Sequence, residues 1–235
     1  MGKLGNGYGS EFHLLRYLEF DRVSLNSAIQ TTTCSEDVEW LPGPPDPRNP
    51  GKLREWKGLN FLSHNVPLQS AWRKIWPSTG NPPNWDGVGR VQIGGQWQWL
   101  LVEAKAHEGE VASLCSASSE HSRAQIAATL AATKQALGVS PERDWLNGYY
   151  QYCNRLAVLN FLHEQNVPAH LLFIYFIGDK SGSGRNCPQT ETGWHDVLER
   201  QREHVGIPNT HPLQDRVHNL FLPVQGPCGV MGPRN

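Results

Sequence analysis

The chain has 235 residues, of which 18% are charged, and its formal net charge is −1 at pH 7. A chain of this length can bury a core as one large domain or two small ones, and its charge content excludes an intrinsically disordered class. Its composition shows no linker between domains, so residues 1–235 are expected to form one domain with a loose Gly/Pro-rich tail from about residue 225.

The sequence predicts a cytoplasmic protein. The N-terminus has no apolar segment typical of a signal peptide, and no apolar run approaches the roughly 18 residues of a membrane-spanning helix. The five cysteines are odd in number and widely spaced, without a Cys-x-x-Cys pair, which argues against a disulfide framework and a zinc site. We therefore expect reduced thiols, no membrane partner, and Cys153 within the apolar core.

Helices and strands follow one another along the chain. Ser10 is expected to be the N-cap of an amphipathic first helix, and a Pro/Gly-rich loop is predicted over residues 41–52. Gly138 is expected to end a long helix. Helices are predicted over residues 11–29, 68–75, 119–137, 144–165 and 194–204, and strands over residues 58–62, 85–93, 96–104, 170–178 and 216–224.

The most informative segment is a predicted hairpin between two apolar runs. Gly94 and Gly95 between alternating residues indicate a two-residue turn. In such a hairpin, facing residues have numbers that add up to the same value, so Asp86 is expected to lie opposite Glu103. Lys105 lies two residues after Glu103 and shares its face. Two carboxylates that face each other repel, and a divalent cation is the expected neutralising partner.

Asp86 followed by Glu103-Ala104-Lys105 at the end of an apolar strand resembles the signature of the PD-(D/E)XK nuclease superfamily. The resemblance implies that Asp86 and Glu103 hold Mg²⁺, with Mn²⁺ as a substitute, and that Lys105 orients the water that attacks a phosphodiester. It departs from the family pattern in one position, because Trp85 stands where the family name has proline. The resemblance covers about 22 residues, from 84 to 105.

The order of predicted elements is also similar to this superfamily. A helix, three strands, helices and a further strand correspond to its αβββαβ core, the restriction-endonuclease-like fold. The resemblance therefore implies an α/β fold with a central mixed sheet of four to five strands and helices on both faces. It also implies a nucleic-acid substrate, DNA rather than RNA, although no residue distinguishes the two.

The acid-x-Lys pattern alone is weak, since chance gives roughly 0.7 matches in a chain of this composition. Glu55-Trp56-Lys57 is a second match with Pro45-Asp46 upstream, but it follows a proline-rich segment and is assigned to a loop. Glu103 instead follows the apolar run of a strand. Two alternatives stay open at the first site: a surface ion pair with Lys105, and a β-bulge that shifts the hairpin register.

Further site residues are suggested by the same resemblance. Glu11, at the start of the first helix, is a candidate third metal ligand, with the alternative that it only complements the helix dipole. Gln151 and Arg155 lie one helical turn apart after the motif and are candidates for substrate binding. The full Gln-x-x-x-Tyr motif of related exonucleases is absent because Arg155 takes the tyrosine position. Buried structural roles are the alternative for both residues.

Residues 48–74 form a locally basic segment with interleaved tryptophans. The segment contains six Lys and Arg residues against one acidic residue, a pattern that suits phosphate contact and base stacking. Lys57, Arg73 and Lys74 are the residues of this segment that we assign to substrate binding. The alternative is a solvated charged surface with tryptophans that anchor a loop on the core.

Two other classes of function compete with a nuclease. A binding module for nucleic acid or protein can keep the same fold with an inactive site, and a structural protein can carry only a surface ion pair in the hairpin. The histidines between residues 163 and 218 have no ligand spacing, and none is assigned to a metal. The sequence does not specify the oligomeric state.

Overall fold

The computed structural model describes residues 8–46, 49–53, 55–78, 80, 82–180 and 184–224. The helices are α1 (Ser10–Phe20), α2 (Arg22–Thr33), α3 (Val66–Ile75), α4 (Glu120–Ala136), α5 (Tyr150–Glu164) and α6 (Glu191–Val205). The strands are β1 (Asp37–Trp40), β2 (Pro45–Asp46), β3 (Asn49–Leu53), β4 (Trp56–Lys57), β5 (Asn84–Trp85), β6 (Gly87–Ile93), β7 (Gln96–Lys105), β8 (Ala169–Ile177) and β9 (Val217–Pro223).

The central sheet has five strands in the order β1-β6-β7-β8-β9. β1, β6 and β7 are antiparallel, whereas β7, β8 and β9 run parallel to one another. A parallel connection needs a crossover, and α4 and α5 supply it between β7 and β8. The predicted α/β class with a mixed sheet of four to five strands is confirmed.

Each face of the sheet buries its own apolar cluster, because successive side chains of a strand point to opposite faces. In β7, Leu100, Val102 and Ala104 pack with residues of α1 and α2. Leu101, on the other face, packs with residues of α3, α4, α5 and α6. Helices therefore cover both faces, as predicted. Glu103 and Lys105 follow Leu101 by alternation, so both project toward the α5 side.

The first strand was placed wrongly from the sequence. Residues 58–62 form no strand but a turn and a short 3-10 helix, Asn60–Leu62, after Gly58, whose φ of +50° does not belong to an extended chain. The first strand of the sheet is β1, a four-residue edge strand with a single fully buried side chain, Val38. So short a strand with one buried side chain has too little alternation to be recognised.

Other boundaries also differ from the prediction. The helix predicted over residues 11–29 is two helices, which Asp21 separates with φ −144° and ψ 46°, and Gly9 rather than Ser10 is the N-cap. The loop predicted over residues 41–52 contains the β2–β3 ladder. The helix predicted from residue 144 begins at Tyr150, because the Asp144 carboxylate accepts the N–H groups of residues 146 and 147 in a turn.

The remaining predicted elements are confirmed within a few residues. Ser119 caps α4 by accepting the N–H of Ser122, and Gly138 follows the helix with φ +70°. Cys153 lies fully buried in the core, and Cys34, Cys115 and Cys187 are also free thiols. Cys228 and the tail predicted from residue 225 lie outside the described residues. No described helix is both long and apolar enough to cross a membrane.

Two histidines meet at the end of the sheet where β8 and β9 begin. His170 Nδ1 lies 3.0 Å from His218 Nε2, and His170 Nε2 lies 3.1 Å from Gln98 Oε1. Burial, with the nearby His218 and Arg216, lowers the pKa of His170 to about 3. Burial also lowers the pKa of His218, so both rings are neutral in the folded protein at neutral pH.

The His170 pair is expected to make folding sensitive to mild acid. His170 in the unfolded chain binds a proton as the pH falls below about 6.5, whereas His170 in the folded protein does not bind one until about pH 3. The contribution of His170 to the free energy of unfolding should therefore fall by up to about 1.4 kcal/mol for each unit by which the pH drops in this range. Urea unfolding between pH 7 and pH 4 checks this: the stability of His170→Gln relative to the unmodified protein should rise as the pH falls, with His195→Gln, a substitution of an exposed histidine on α6, as the matched control.

Candidate active site

The hairpin has the predicted register until its open end. Gly87 pairs with Val102 and Ile93 with Gln96, on either side of the Gly94-Gly95 turn. Asp86 lies one residue outside this ladder, and its N–H donates to the carbonyl of Val102 at 3.0 Å. Asp86 and Gly87 thus both face Val102, which is the pattern of a β-bulge. The prediction that Asp86 lies directly opposite Glu103 is wrong in this detail.

The bulge nevertheless turns the Asp86 side chain toward the end of β7. Its Oδ2 atom accepts the N–H of Ala104 at 2.7 Å, between Glu103 and Lys105 in the chain. Asp86, Glu103 and Lys105 line one cavity of about 630 Å³, which we call the carboxylate cavity. The hairpin therefore brings the three motif residues together, although by a hydrogen bond across a bulge rather than by strict cross-strand pairing.

Glu103 is a buried carboxylate with two cationic partners. Its Oε1 accepts from Lys105 Nζ at 2.6 Å, and its Oε2 lies 3.0 Å from Arg155 Nε and 2.8 Å from Arg155 Nη2. Burial by itself would raise the pKa of Glu103, but Arg155 and Lys105 outweigh that effect and hold it below its usual value. Glu103 is therefore ionised at neutral pH.

Lys105 is held between the strand and helix α5. Its Nζ donates to Glu103 Oε1 and, at 2.6 Å, to Gln151 Oε1. Residues two apart on a strand are about 6.6 Å apart, and residues four apart on a helix are about 6 Å apart. Two successive side chains on one face of β7 can therefore each contact a side chain of α5. Gln151 then meets Lys105, and Arg155 meets Glu103.

The pKa values of the two motif carboxyl groups are shifted in opposite directions. Burial raises the pKa of Asp86 to about 8; the negative charge of Glu103 adds to this, while Lys105 and the Ala104 N–H oppose it. Asp86 therefore tends to keep its proton near neutral pH, whereas Glu103 does not. A carboxylate that lacks a compensating positive charge of its own is a natural ligand for a cation that replaces the proton.

The start of α1 forms one wall of the carboxylate cavity. The N–H of Gly9 donates to Asp179 Oδ2 at 3.0 Å, and His13 Nε2 lies 3.0 Å from Asp179 Oδ1, with both side chains almost fully buried. Ser10 Oγ donates to Glu110 Oε1 at 3.1 Å. These contacts fix the helix start, so Glu11 lines the cavity together with Asp86. The cavity thus contains the predicted third acid.

Glu55 was missed as a site residue. It lines the carboxylate cavity, and its charge contributes to the raised pKa of Asp86. The Asn84 amide donates to Glu55 Oε2 at 2.9 Å, next to the β4–β5 ladder in which Trp56 pairs with Trp85. The second acid-x-Lys match contained the available signal, but a proline-rich segment precedes it and only this small ladder brings it to the site.

The donor set fits a hard divalent cation that keeps part of its own hydration shell. In the part of the chain that the structure describes, no three His, Cys, Asp or Glu side chains are arranged to enclose a metal ion by themselves. Mg²⁺ does not require such a cage, since it is commonly bound by one or two carboxylates together with waters and substrate phosphates. Asp86 and Glu103 would be these carboxylates, with Glu11 and Glu55 near them.

Of the five residues predicted to bind substrate, only Gln151 is among the described residues that line the carboxylate cavity. Arg155 is 3% exposed and its guanidinium donates to Glu103 and Asn154, so the structure places it as a buried counter-ion of Glu103. Gln151 lines the cavity but binds Lys105. Lys57, Arg73 and Lys74 are exposed, and none of the three lines either cavity that contains Asp86.

The chain was compared with protein families, curated proteins and solved structures. No protein-family model, no curated protein and no solved structure matches the chain. The interpretation of the site therefore depends on its own geometry and chemistry.

Proposed function

We propose that the protein is a Mg²⁺-dependent nuclease that hydrolyses phosphodiester bonds in DNA, in the cytoplasm, as a PD-(D/E)XK-type enzyme. Asp86 and Glu103 would hold the metal ion, and Lys105 would position the attacking water. Mn²⁺ is the expected substitute ion. The observation that carries the proposal is the convergence of a proton-retaining carboxylate, an ionised carboxylate and a positioned ammonium in one cavity.

The position of Lys105 suits a group that orients a nucleophile. An ammonium group has three N–H donors, and Glu103 and Gln151 accept two of them. The side chain is only 10% exposed, yet it lines the cavity, so its third N–H can be donated to a water or a phosphate oxygen there. Because two acceptors fix the ammonium before substrate binds, little reorganisation is needed during the reaction.

The carboxylates supply the negative charge that a bound divalent ion requires. Mg²⁺, when bound, would polarise a phosphoryl oxygen and lower the pKa of a nearby water. Asp86 must lose its proton to bind the ion, and Ala104 N–H keeps one of its oxygens oriented as it does so. Glu103 keeps its charge throughout, because Arg155 stays paired with it.

Lys105→Met is expected to lower the rate of DNA cleavage by about 10²–10³-fold, the typical loss for one positioned donor. The test measures nicking of plasmid and degradation of linear and single-stranded DNA, with Mg²⁺, with Mn²⁺ and with a chelator. Arg90→Met is the matched control: it removes one partly exposed positive charge on β6 that pairs with Glu39, away from both cavities.

Three outcomes are informative. Metal-dependent cleavage that Lys105→Met removes and Arg90→Met retains would support the proposal. Cleavage that survives in Lys105→Met would show that another site or a contaminant is responsible. Absence of cleavage on all three substrates would overturn the proposal and favour an inactive binding module with the same fold.

A further inference from the structure

A second cavity opens beside the candidate active site. It has a volume of about 350 Å³, and we call it the tryptophan cavity because Trp40, Trp56 and Trp85 line it, with Leu14, Leu15 and Leu18 of α1. It shares Glu11, Glu55 and Asp86 with the carboxylate cavity, so the two cavities adjoin at these residues. Its volume lies at the lower end of the range for pockets that bind small molecules or parts of larger ligands.

Trp40 forms a rigid aromatic wall of this cavity. Its indole N–H donates to Asn26 Oδ1 at 2.8 Å. Its ring packs so closely on the backbone of β6 that a Cβ atom at Gly87 would lie 2.9 Å from it, and Gly89 also approaches the ring. The ring is only partly buried by these contacts. A fixed and partly exposed indole is a surface on which a flat aromatic ligand can stack at little entropic cost.

Trp56 contributes an unsatisfied donor. Its Nε1 atom is buried and has no hydrogen-bond partner among the described residues. A buried indole N–H without an acceptor costs free energy, which a ligand with a ring nitrogen or carbonyl oxygen would recover. Because Trp56 is only partly buried and lines the cavity, it offers an aromatic surface there, and a base that reaches its indole N–H would also gain a hydrogen bond.

The charges of the tryptophan cavity favour a base over a phosphate. Among the described residues that line it, four carry a carboxyl group and one carries a guanidinium: Glu11, Glu19, Glu55 and Asp86 against Arg22. Carboxylates repel a phosphate but accept hydrogen bonds from the exocyclic amino groups of cytosine, adenine and guanine. A phosphate would then lie next to the metal site, and the base of the same nucleotide would lie in the tryptophan cavity, where aromatic rings and hydrogen-bond acceptors surround it.

We propose that the tryptophan cavity binds an unpaired nucleobase of the strand that is cut, so that the substrate is single-stranded or has an unpaired nucleotide at the cleavage point. A base within a duplex is paired and stacked, and would have to be extruded before it could enter. The location of the scissile phosphate in this proposal rests on the proposed nuclease function. The binding of the base does not, because it depends only on the cavity.

Binding of fluorescein-labelled oligonucleotides by fluorescence anisotropy tests the proposal without catalysis. The full chain is titrated with single-stranded oligo(dC), oligo(dT) and a blunt duplex, in chelator and in Ca²⁺. Oligo(dC) is expected to bind at least about tenfold more tightly than the duplex, because the duplex must be opened first. It should also bind about fivefold more tightly than oligo(dT), which has no exocyclic amino group.

Substitutions of the tryptophans locate the effect. Trp56→Leu and Trp40→Leu should each weaken binding of oligo(dC) by about 5- to 150-fold, the range for loss of one stacked base. Trp56→Phe keeps an aromatic face but loses the indole N–H, so it should bind more tightly than Trp56→Leu and more weakly than the unmodified protein, which separates loss of stacking from loss of the hydrogen bond. Trp97→Leu is the matched control, since Trp97 is 39% exposed near the turn of the hairpin and lines neither cavity.

The outcomes separate this inference from the proposed function. Equal affinity for single strand and duplex, or equal effects of Trp56→Leu and Trp97→Leu, would overturn the base-binding proposal alone. Tight and Trp56-dependent binding of single strands without cleavage in Mg²⁺ would support the cavity and overturn the nuclease. If Trp56→Leu cleaved DNA at the same rate as the unmodified protein, the proposed nuclease function would be supported, and the binding of an unpaired base at the cleavage point would be rejected.

Discussion

Asp86→Asn is expected to make the metal-free protein more stable at pH 8, by about 1–3 kcal/mol, while it lowers Mg²⁺-dependent cleavage by about 10³-fold. The gain in stability has a physical origin in the raised pKa of this carboxyl. Burial and the charge of Glu103 bring the pKa to about 8, whereas an unfolded aspartate has a pKa of about 3.9. Between these values the unfolded chain releases a proton that the folded protein retains.

The sign of the pH dependence follows from this difference. The contribution of Asp86 to the free energy of unfolding should fall as pH rises from about 4 to about 8, since ionisation of this carboxyl favours the unfolded state in this range. Asparagine cannot ionise, and its side-chain oxygen can still accept the Ala104 N–H that Asp86 accepts. The stability advantage of the variant should therefore be small at pH 4 and largest near pH 8.

Chemical unfolding in the presence of a chelator measures this effect, with Asp196→Asn, an exposed aspartate of α6, as the matched control. Adding Mg²⁺ should stabilise the unmodified protein and not Asp86→Asn, because a ligand stabilises only the form that binds it. A variant that is less stable than the unmodified protein at pH 8 would show that Asp86 has a compensating charge. That result would remove the electrostatic basis of the metal site.

Glu103→Gln is expected to have the opposite effect and to destabilise the protein by about 3–5 kcal/mol at pH 7. The substitution leaves Lys105 and Arg155 buried without their common counter-ion, and their residues are only 8% and 3% exposed. Because the pKa of Glu103 is held below its usual value, this contribution is fully present at neutral pH. It should be lost only as pH falls below the pKa of an unfolded glutamate, about 4.3, and through the lower pKa of the folded carboxyl.

Urea unfolding of Glu103→Gln beside Glu39→Gln measures the difference. Glu39 pairs with Arg90 at the surface, where an ion pair contributes at most about 1 kcal/mol. The double variant Glu103→Gln/Arg155→Met should be less destabilised than the sum of its single changes, since the two side chains are in direct contact. A loss below about 1 kcal/mol for Glu103→Gln would contradict the description of Glu103 as a charge-paired core residue.

The sequence predicted those features that depend on local pattern. The glycine pair at residues 94 and 95 defined the hairpin and its register, because a two-residue turn with positive φ at both positions matches the twist of the strands. The apolar run before Glu103 placed this residue at the end of a central strand. Alternation put Lys105 on the same face, and spacing by four residues put Gln151 and Arg155 on one face of α5.

The sequence failed where distant segments decide the local structure. Strand β1 contains too few residues to show a period, and it forms because the edge of β6 is available to it. Asp21 interrupts what reads as one helix. Glu55 follows a proline-rich segment, and only the two-residue ladder between β4 and β5 brings it beside Asp86. None of these features has a signal in a short window of sequence.

The chain by itself determined which chemical groups are present and which of them share a face, since periodicity follows from backbone geometry alone. The tertiary structure decided what each group does. It paired Arg155 with Glu103 instead of exposing it to a substrate, left Asp86 without such a partner, and placed Trp40 and Trp56 around a cavity beside it. Burial and charge partners set these roles, and both depend on residues that are far apart in sequence.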